Sequence, residues 1–170
     1  MKDDKLSYRR THVSDAATVR GLRVAAAEEL TRRCGEGHWS EVFTVAMIKK
    51  HIAEKAVFLV DLDVTPVATF ELHTNKPFWY STAWFAEPDA PAFYLLHMAV
   101  LPARQRHGIG RDIMSEIEDM ARGEGHRAVR FDAYDAVAGA GAFYQKCGYE
   151  LVHSGSFNGV PLEYYEKLLS

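Results

Sequence analysis

The sequence predicts an α/β (α+β) protein, a mixed sheet of about seven strands flanked by about four helices, in one domain spanning residues 1–170. Three observations predict it. Apolar residues recur at helical spacing around residues 19–30 and 109–120. Short apolar or alternating runs appear at residues 56–60, 67–72, 93–100 and 129–133. Between 170 residues and a 48% hydrophobic content there is enough chain for one core, and no internal repeat divides it.

Residues 6–11 open as a strand. Ser14 followed by Asp15 reads as an N-cap with a first-turn acid. Val19, Leu22, Ala26 and Leu30 then form an apolar stripe that stops near Gly35 and Gly37. Ser40 is placed to cap a second helix running toward Lys55. From Ala56 the pattern becomes a β-hairpin: an apolar run at 56–60, a polar turn at 61–66 and a second run at 67–72. Residues 74–92 hold Pro77, Pro88 and Pro91 among Phe78, Trp79, Tyr80, Trp84 and Phe85, which reads as a long loop or broken insertion. Such a loop is a candidate for shaping a substrate site, or its aromatics cover one edge of the core.

Residues 93–100 form a strand ended by Leu101-Pro102. Ile109, Ile113, Met114, Ile117 and Met120 then mark an amphipathic helix that stops at Gly123-Glu124-Gly125. Val129, Phe131 and Ala133 alternate with Arg130 and Asp132 as a half-buried strand, and residues 137–146 read as a helix closed by Gly148. Residues 149–153 and 160–167 supply two closing strands.

Composition excludes several classes. The net charge is −3 and the basic residues are scattered, so the footprint of a nucleic-acid binder is missing. No apolar run approaches the length of a membrane span. The two cysteines, Cys34 and Cys147, make no CxxC pair, and the hydrophilic start carries no secretory signal, so a cytoplasmic location is expected. The eight histidines include no HExxH and no finger spacing, so no metal is expected.

The informative segment is residues 98–111, where a strand passes through a basic turn into a helix. Gly108 and Gly110 remove side chains where backbone must approach a ligand, and the first-turn N–H groups of the helix point outward with the positive end of its dipole. Arg104, Arg106, His107 and Arg111 add positive charge, so the turn suits a pyrophosphate. A P-loop is excluded because Arg111, not a Lys-Ser or Lys-Thr pair, follows Gly110. A dinucleotide fingerprint lacks its third glycine, since Ile113 stands there, although Asp132 lies near the distance of a ribose-binding acid.

Gln105-Arg106-His107-Gly108-Ile109-Gly110 resembles the first signature of the GNAT acetyltransferase superfamily: Arg or Gln, two residues, Gly, one residue, then Gly or Ala. Residues 140–149, with Ala140, Phe143, Tyr144, Gly148 and Tyr149, resemble its second signature at the family spacing. The resemblance implies a mostly antiparallel sheet and an acetyl-CoA-dependent N-acetyltransferase. It implies that Met98, Ala99 and Val100 offer backbone groups to the pantetheine arm, a backbone N–H near Met98 polarising the thioester carbonyl. It also implies that Gln105, Arg106, His107, Gly108, Ile109, Gly110 and Arg111 hold the pyrophosphate. Tyr144 sits where similar enzymes place a tyrosine that donates a proton to the departing thiolate. The family's common Asn seven residues earlier is Val137 here, which removes one side-chain contact to coenzyme A.

A protonated amine must lose a proton before it attacks. Similar enzymes place Glu or His on the strand face shared here by Tyr94, Leu96 and Met98, where no carboxylate stands. Alternation puts His97 on the opposite face, so Glu71 is the candidate base, with His73 next. Trp79, Tyr80, Trp84 and Tyr94 are the candidate substrate-binding residues. With Glu87 and Asp89 the aromatic segment suits a small cation. Cys147 has no partnered base, so direct attack in a ternary complex is favoured over an acyl-cysteine. The expected acceptor is a primary amine of a small molecule or peptide. A catalytically silent acyl-CoA-binding sensor or assembly module is the alternative, and a homodimer is a possible assembly.

Overall fold

The computed structural model describes residues 5–41 and 43–170. In chain order they form β1 (Leu6–Arg10), α1 (Ala16–Cys34), α2 (Val45–Glu54), β2 (Ala56–Leu62), β3 (Thr65–His73), β4 (Ala92–Val100), α3 (Ile109–Gly123), β5 (Ala128–Tyr134), α4 (Gly141–Lys146), β6 (Glu150–Phe157) and β7 (Val160–Leu168). The strands lie in one sheet in the order β1-β2-β3-β4-β5-β7-β6. β4 and β5 run parallel, whereas β1/β2, β2/β3, β5/β7 and β6/β7 are antiparallel. The expected α/β class and element order are therefore present. Two compact units make up the chain: residues up to Leu72 with His97–Ile109, and His73–Leu96 with Gly110–Ser170.

In the first unit, Ala16, Val19 and Leu22 of α1 bury against Ile48 of α2 and Val57 and Leu59 of β2. Each such large apolar side chain contributes about 1.5–3 kcal/mol by leaving water. The rest of the expected stripe, Ala26 and Leu30, is only half-buried, while Arg23 is buried. Ser14 lies inside a 3-10 turn, Val13–Asp15, rather than capping α1. The Asp15 carboxylate ties that turn down instead, accepting the His12 N–H at 2.8 Å and both Arg9 Nη atoms. Ser40 likewise does not cap α2. Its hydroxyl is occupied by Thr31 and by the Gly37 N–H, and Thr44 caps α2 by accepting the Met47 N–H. The β2–β3 turn is tighter than residues 61–66, because Leu62 pairs with Thr65 and Asp63 adopts φ 57°.

The second unit has a core of Tyr80, Phe85, Ala92, Tyr94, Ala128, Leu162 and Tyr164. The proline-punctuated segment thus lays aromatic rings on the sheet, which corrects the expected outward side of β5. Arg130 is fully buried, donating from Nε to Glu166 (2.8 Å), from Nη1 to the Tyr94 hydroxyl (3.1 Å) and from Nη2 to the Glu87 carbonyl (2.6 Å). Its guanidinium also lies over Phe85, 4.2 Å from the ring centre. The helix expected at 137–146 is shorter. Residues 135–140 form a turn in which a Cβ on Gly139 would meet the Tyr134 carbonyl oxygen at 2.0 Å, so α4 starts only at Gly141. Asn158 and Gly159, at φ 49° and 76°, make the tight β6–β7 hairpin turn.

Candidate functional site

The glycine turn has the expected build. β4 ends at Val100, whose carbonyl accepts the Gln105 side-chain amide at 3.0 Å, and the Leu101 N–H is anchored on the Val67 carbonyl at 2.8 Å. A 3-10 turn, Pro102–Arg104, then leads to Arg106 at φ 65° and Gly108 at φ 87°. Two left-handed residues in three bring the chain round sharply before α3 begins at Ile109. Arg106, His107 and Gly108 are exposed, and Ile109 is buried as the first apolar anchor of α3. Ile113, Met114, Ile117 and Ala121 continue that buried row, with Met120 half-buried beside it. A helix start leaves its first N–H groups without intrahelical acceptors, and such an end favours negative charge. Ala99 is buried, and Met98 and Val100 are half-buried at the end of β4.

A second group of residues gathers in the same unit. Glu71, on β3, is 1% exposed. Its Oε2 accepts Arg23 Nη2 at 2.5 Å and lies 2.9 Å from His51 Nδ1. His97 joins them: one ligand-type atom from each of His51, Glu71 and His97 lies within 4.8 Å of the others. Phe43 stands edge-on to both imidazoles, and the two rings are 5.6 Å apart. His97 adopts φ 50°, a left-handed conformation in mid-strand that breaks the alternation expected along β4. Two imidazoles and a carboxylate are also a donor set for a divalent cation. Arg23 already neutralises the Glu71 carboxylate through Oε2, so the group offers a cation no net negative charge.

Three of these four residues, Arg23, His51 and His97, were not singled out from sequence as site residues. The signal for Arg23 was present, since it falls four residues after Val19 on the buried stripe of α1 and so places a charge at a core position. Glu71, the expected base, is instead held by two donors on one oxygen. Arg23 Nε and Nη1 are buried without hydrogen-bond partners among the described residues, so its charge is balanced through Glu71.

In the second unit, Tyr144 lies in α4 with its ring against Phe131, Phe143 and Tyr165. Loss of water contact pushes its phenol up to about 12, with Cys147 and Asp132 adding to the shift. Burial also pushes the Cys147 thiol up, which suits a thiol rather than a nucleophilic thiolate. Among the candidate substrate residues, Tyr80 and Tyr94 are core side chains, 3% and 5% exposed, whereas Trp79 and Trp84 remain half-buried. The carboxylate among these aromatics is Asp132, not Glu87. Asp132 accepts Trp79 Nε1 at 3.0 Å and the Tyr80 hydroxyl at 2.7 Å, and burial raises it above its ordinary value. Glu87 is turned to Arg127. Trp84 stacks on His153 at 4.0 Å.

The family model for the acetyltransferase (GNAT) family matches residues 24–149. No curated protein matches the sequence significantly. Solved structures share the fold at low identity. A GNAT-family acetyltransferase of Listeria monocytogenes superposes with a TM-score of 0.75 at 20% identity, over 96% of this chain and 95% of that one. A Salmonella typhimurium protein solved with its cofactor acetyl-CoA gives 0.66 at 16% identity, over 97% and 94%. The ribosomal-protein-S18-alanine N-acetyltransferase of Escherichia coli gives 0.69 at 14% identity, over 98% and 95%. Among the described residues, no helix is long and apolar enough to cross a membrane.

Proposed function

Because this chain belongs to the acetyltransferase (GNAT) family, we propose that it transfers an acetyl group from acetyl-CoA to a primary amine of a small molecule or peptide, by direct attack in a ternary complex. The observation that carries this reading is the turn at residues 105–111. Left-handed Arg106 and Gly108 deliver the backbone into the start of α3, an end whose first-turn N–H groups and helix dipole suit a pyrophosphate. Arg106, His107 and Arg111 supply the flanking charge.

In this reading the backbone of Met98, Ala99 and Val100 receives the pantetheine arm as an added strand. An N–H near Met98 polarises the thioester carbonyl and stabilises the oxyanion that forms on attack. Tyr144 donates its hydroxyl hydrogen to the departing sulfur. Its phenol, at about 12, stays protonated at neutral pH. It is a weaker acid than a thiol of about 8.5, so its contribution is chiefly a hydrogen bond to the developing thiolate. Trp79, Trp84 and the Asp132 carboxylate are assigned to the acceptor, an aromatic and anionic setting for a cationic amine. Tyr80 and Tyr94 hold that segment on the core.

The experiment is the melting temperature with and without acetyl-CoA. A ligand at 100 times its Kd adds about 2.7 kcal/mol. An upward shift with acetyl-CoA, smaller with an adenosine nucleotide lacking the pantetheine arm and absent with NAD, is expected. No shift at saturating acetyl-CoA would remove the reading.

A further inference from the structure

We propose that His97 is the base that takes the proton from the acceptor amine, and that Arg23, Glu71 and His51 are its positioning residues. The inference rests on the acetyl-transfer reading and names the group that the reaction there still lacks. His97 immediately precedes Met98, whose backbone the acetyl-transfer reading sets against the thioester, and its imidazole gathers with His51, Glu71 and Phe43. It holds this place through a left-handed backbone in mid-strand, a conformation that a histidine adopts only where surrounding contacts impose it.

The surrounding residues supply what a base needs. Glu71 cannot readily serve itself, because Arg23 and His51 both occupy its Oε2 and the carboxylate is buried. It can orient an imidazole instead. With Nδ1–H of His51 directed to Glu71, the other nitrogen of His51 is left as an acceptor, the arrangement by which a carboxylate fixes a histidine tautomer. One ring nitrogen of His97 and one of His51 lie within 4.8 Å of each other, a separation that one water molecule spans. The charged and titratable groups that gather here among the described residues include Arg23 from α1, His51 from α2, Glu71 from β3 and His97 from β4, with Arg20 of α1 on the carbonyl of Phe43, whose ring touches both imidazoles. Arg23 and Glu71 cancel within the cluster, so a proton taken up there does not face the Arg23 charge alone.

The step balances as follows. Ammonium acceptor loses one proton to the neutral His97 imidazole. The freed nitrogen lone pair forms the C–N bond to the thioester carbon, the C–S bond breaks, and the second proton passes from nitrogen to the departing sulfur, held by the Tyr144 hydroxyl hydrogen bond, to give the amide and the coenzyme A thiol. The imidazolium returns its proton to solvent.

The test is the pH profile of kcat/KM for free-thiol release from acetyl-CoA, with a panel of primary alkylamines and amino-acid amides as acceptors. Wild type should show an acid limb that reports the imidazole pair. His97→Asn should lose about 100-fold in kcat/KM at neutral pH, with the limb replaced by a rate that climbs tenfold per pH unit. Its melting shift with acetyl-CoA should match wild type. Glu71→Gln should move the limb to lower pH, since removing a nearby negative charge makes an imidazole less basic. If that variant does not fold, His51→Gln, which removes the neighbouring imidazole and keeps the Glu71 charge, should lower kcat/KM at neutral pH while leaving the melting shift with acetyl-CoA unchanged. A His97→Asn enzyme with wild-type kcat/KM and an unchanged limb overturns the proposal while leaving the acetyltransferase reading intact. A wild type that neither binds nor turns over acetyl-CoA overturns both.

Discussion

Arg23 and Glu71 form a buried ion pair, Nη2 to Oε2 at 2.5 Å, with side chains 7% and 1% exposed. Breaking such a pair strands a charge in the core, whereas replacing both members with apolar groups is often close to neutral. Arg23→Met and Glu71→Leu should each lower the unfolding free energy by about 3–5 kcal/mol. Arg23→Met/Glu71→Leu should cost clearly less than the sum of the singles. Urea denaturation of the four proteins measures this, and additive costs would contradict it.

Asp132 gives the stability a pH dependence of defined sign. Burial raises its folded value above 3.8, so between 3.8 and the raised value the folded chain holds a proton that the unfolded chain has lost. Stability contributed by this group therefore falls as pH rises through that window, and the cost is complete above it. Asp132→Asn keeps an acceptor oxygen for Trp79 and Tyr80 but cannot ionise. Its stability relative to wild type should grow with pH across the window and then level off. Thermal unfolding from pH 3.5 to 8 checks this, and a difference independent of pH would refute it.

Gly108 is required for conformation rather than space. Its φ is 87°, yet a Cβ built there meets nothing within 4 Å. Gly108→Ala should cost about 1–2 kcal/mol of stability through the left-handed backbone alone, and Gly108→Asn less, because Asn tolerates that region. Equal losses for Ala and Asn would point to a steric cause instead.

Tyr144→Phe removes one hydroxyl and leaves the ring against Phe131 and Tyr165. Turnover should fall about 100-fold, within the range for a positioned proton or hydrogen-bond donor. The Kd for acetyl-CoA, measured by titration calorimetry, should stay within about twofold. Tight binding with no turnover in the wild type as well would favour a silent acyl-CoA-binding module.

The order of strands and helices was legible because each apolar stretch kept the period of its element, as with Ile109, Ile113 and Ile117 in α3. The turn at Gly108 was legible because glycine spacing encodes backbone shape directly. The helix starts at Ser14 and Ser40 were misread: a hydroxyl near a boundary caps only if nothing else takes it, and Thr31 takes Ser40. The Arg23–Glu71–His51–His97 group was the least legible part. It joins four elements distant in sequence, and His97 reaches it through one left-handed residue that alternation does not foresee. Arg130 was misread for a related reason, since its strand looks half-exposed until residues 79–94 cover the second face.

The central claim is acetyl transfer to an amine. The most direct measurement is mass spectrometry of the products after incubating the purified protein with acetyl-CoA and a panel of primary amines, alongside free-thiol release. An acceptor heavier by one acetyl group is expected, formed in equal amount with free coenzyme A and about 100-fold more slowly with His97→Asn and Tyr144→Phe. Thiol release with no acetylated amine, or neither product at saturating acetyl-CoA, would contradict it.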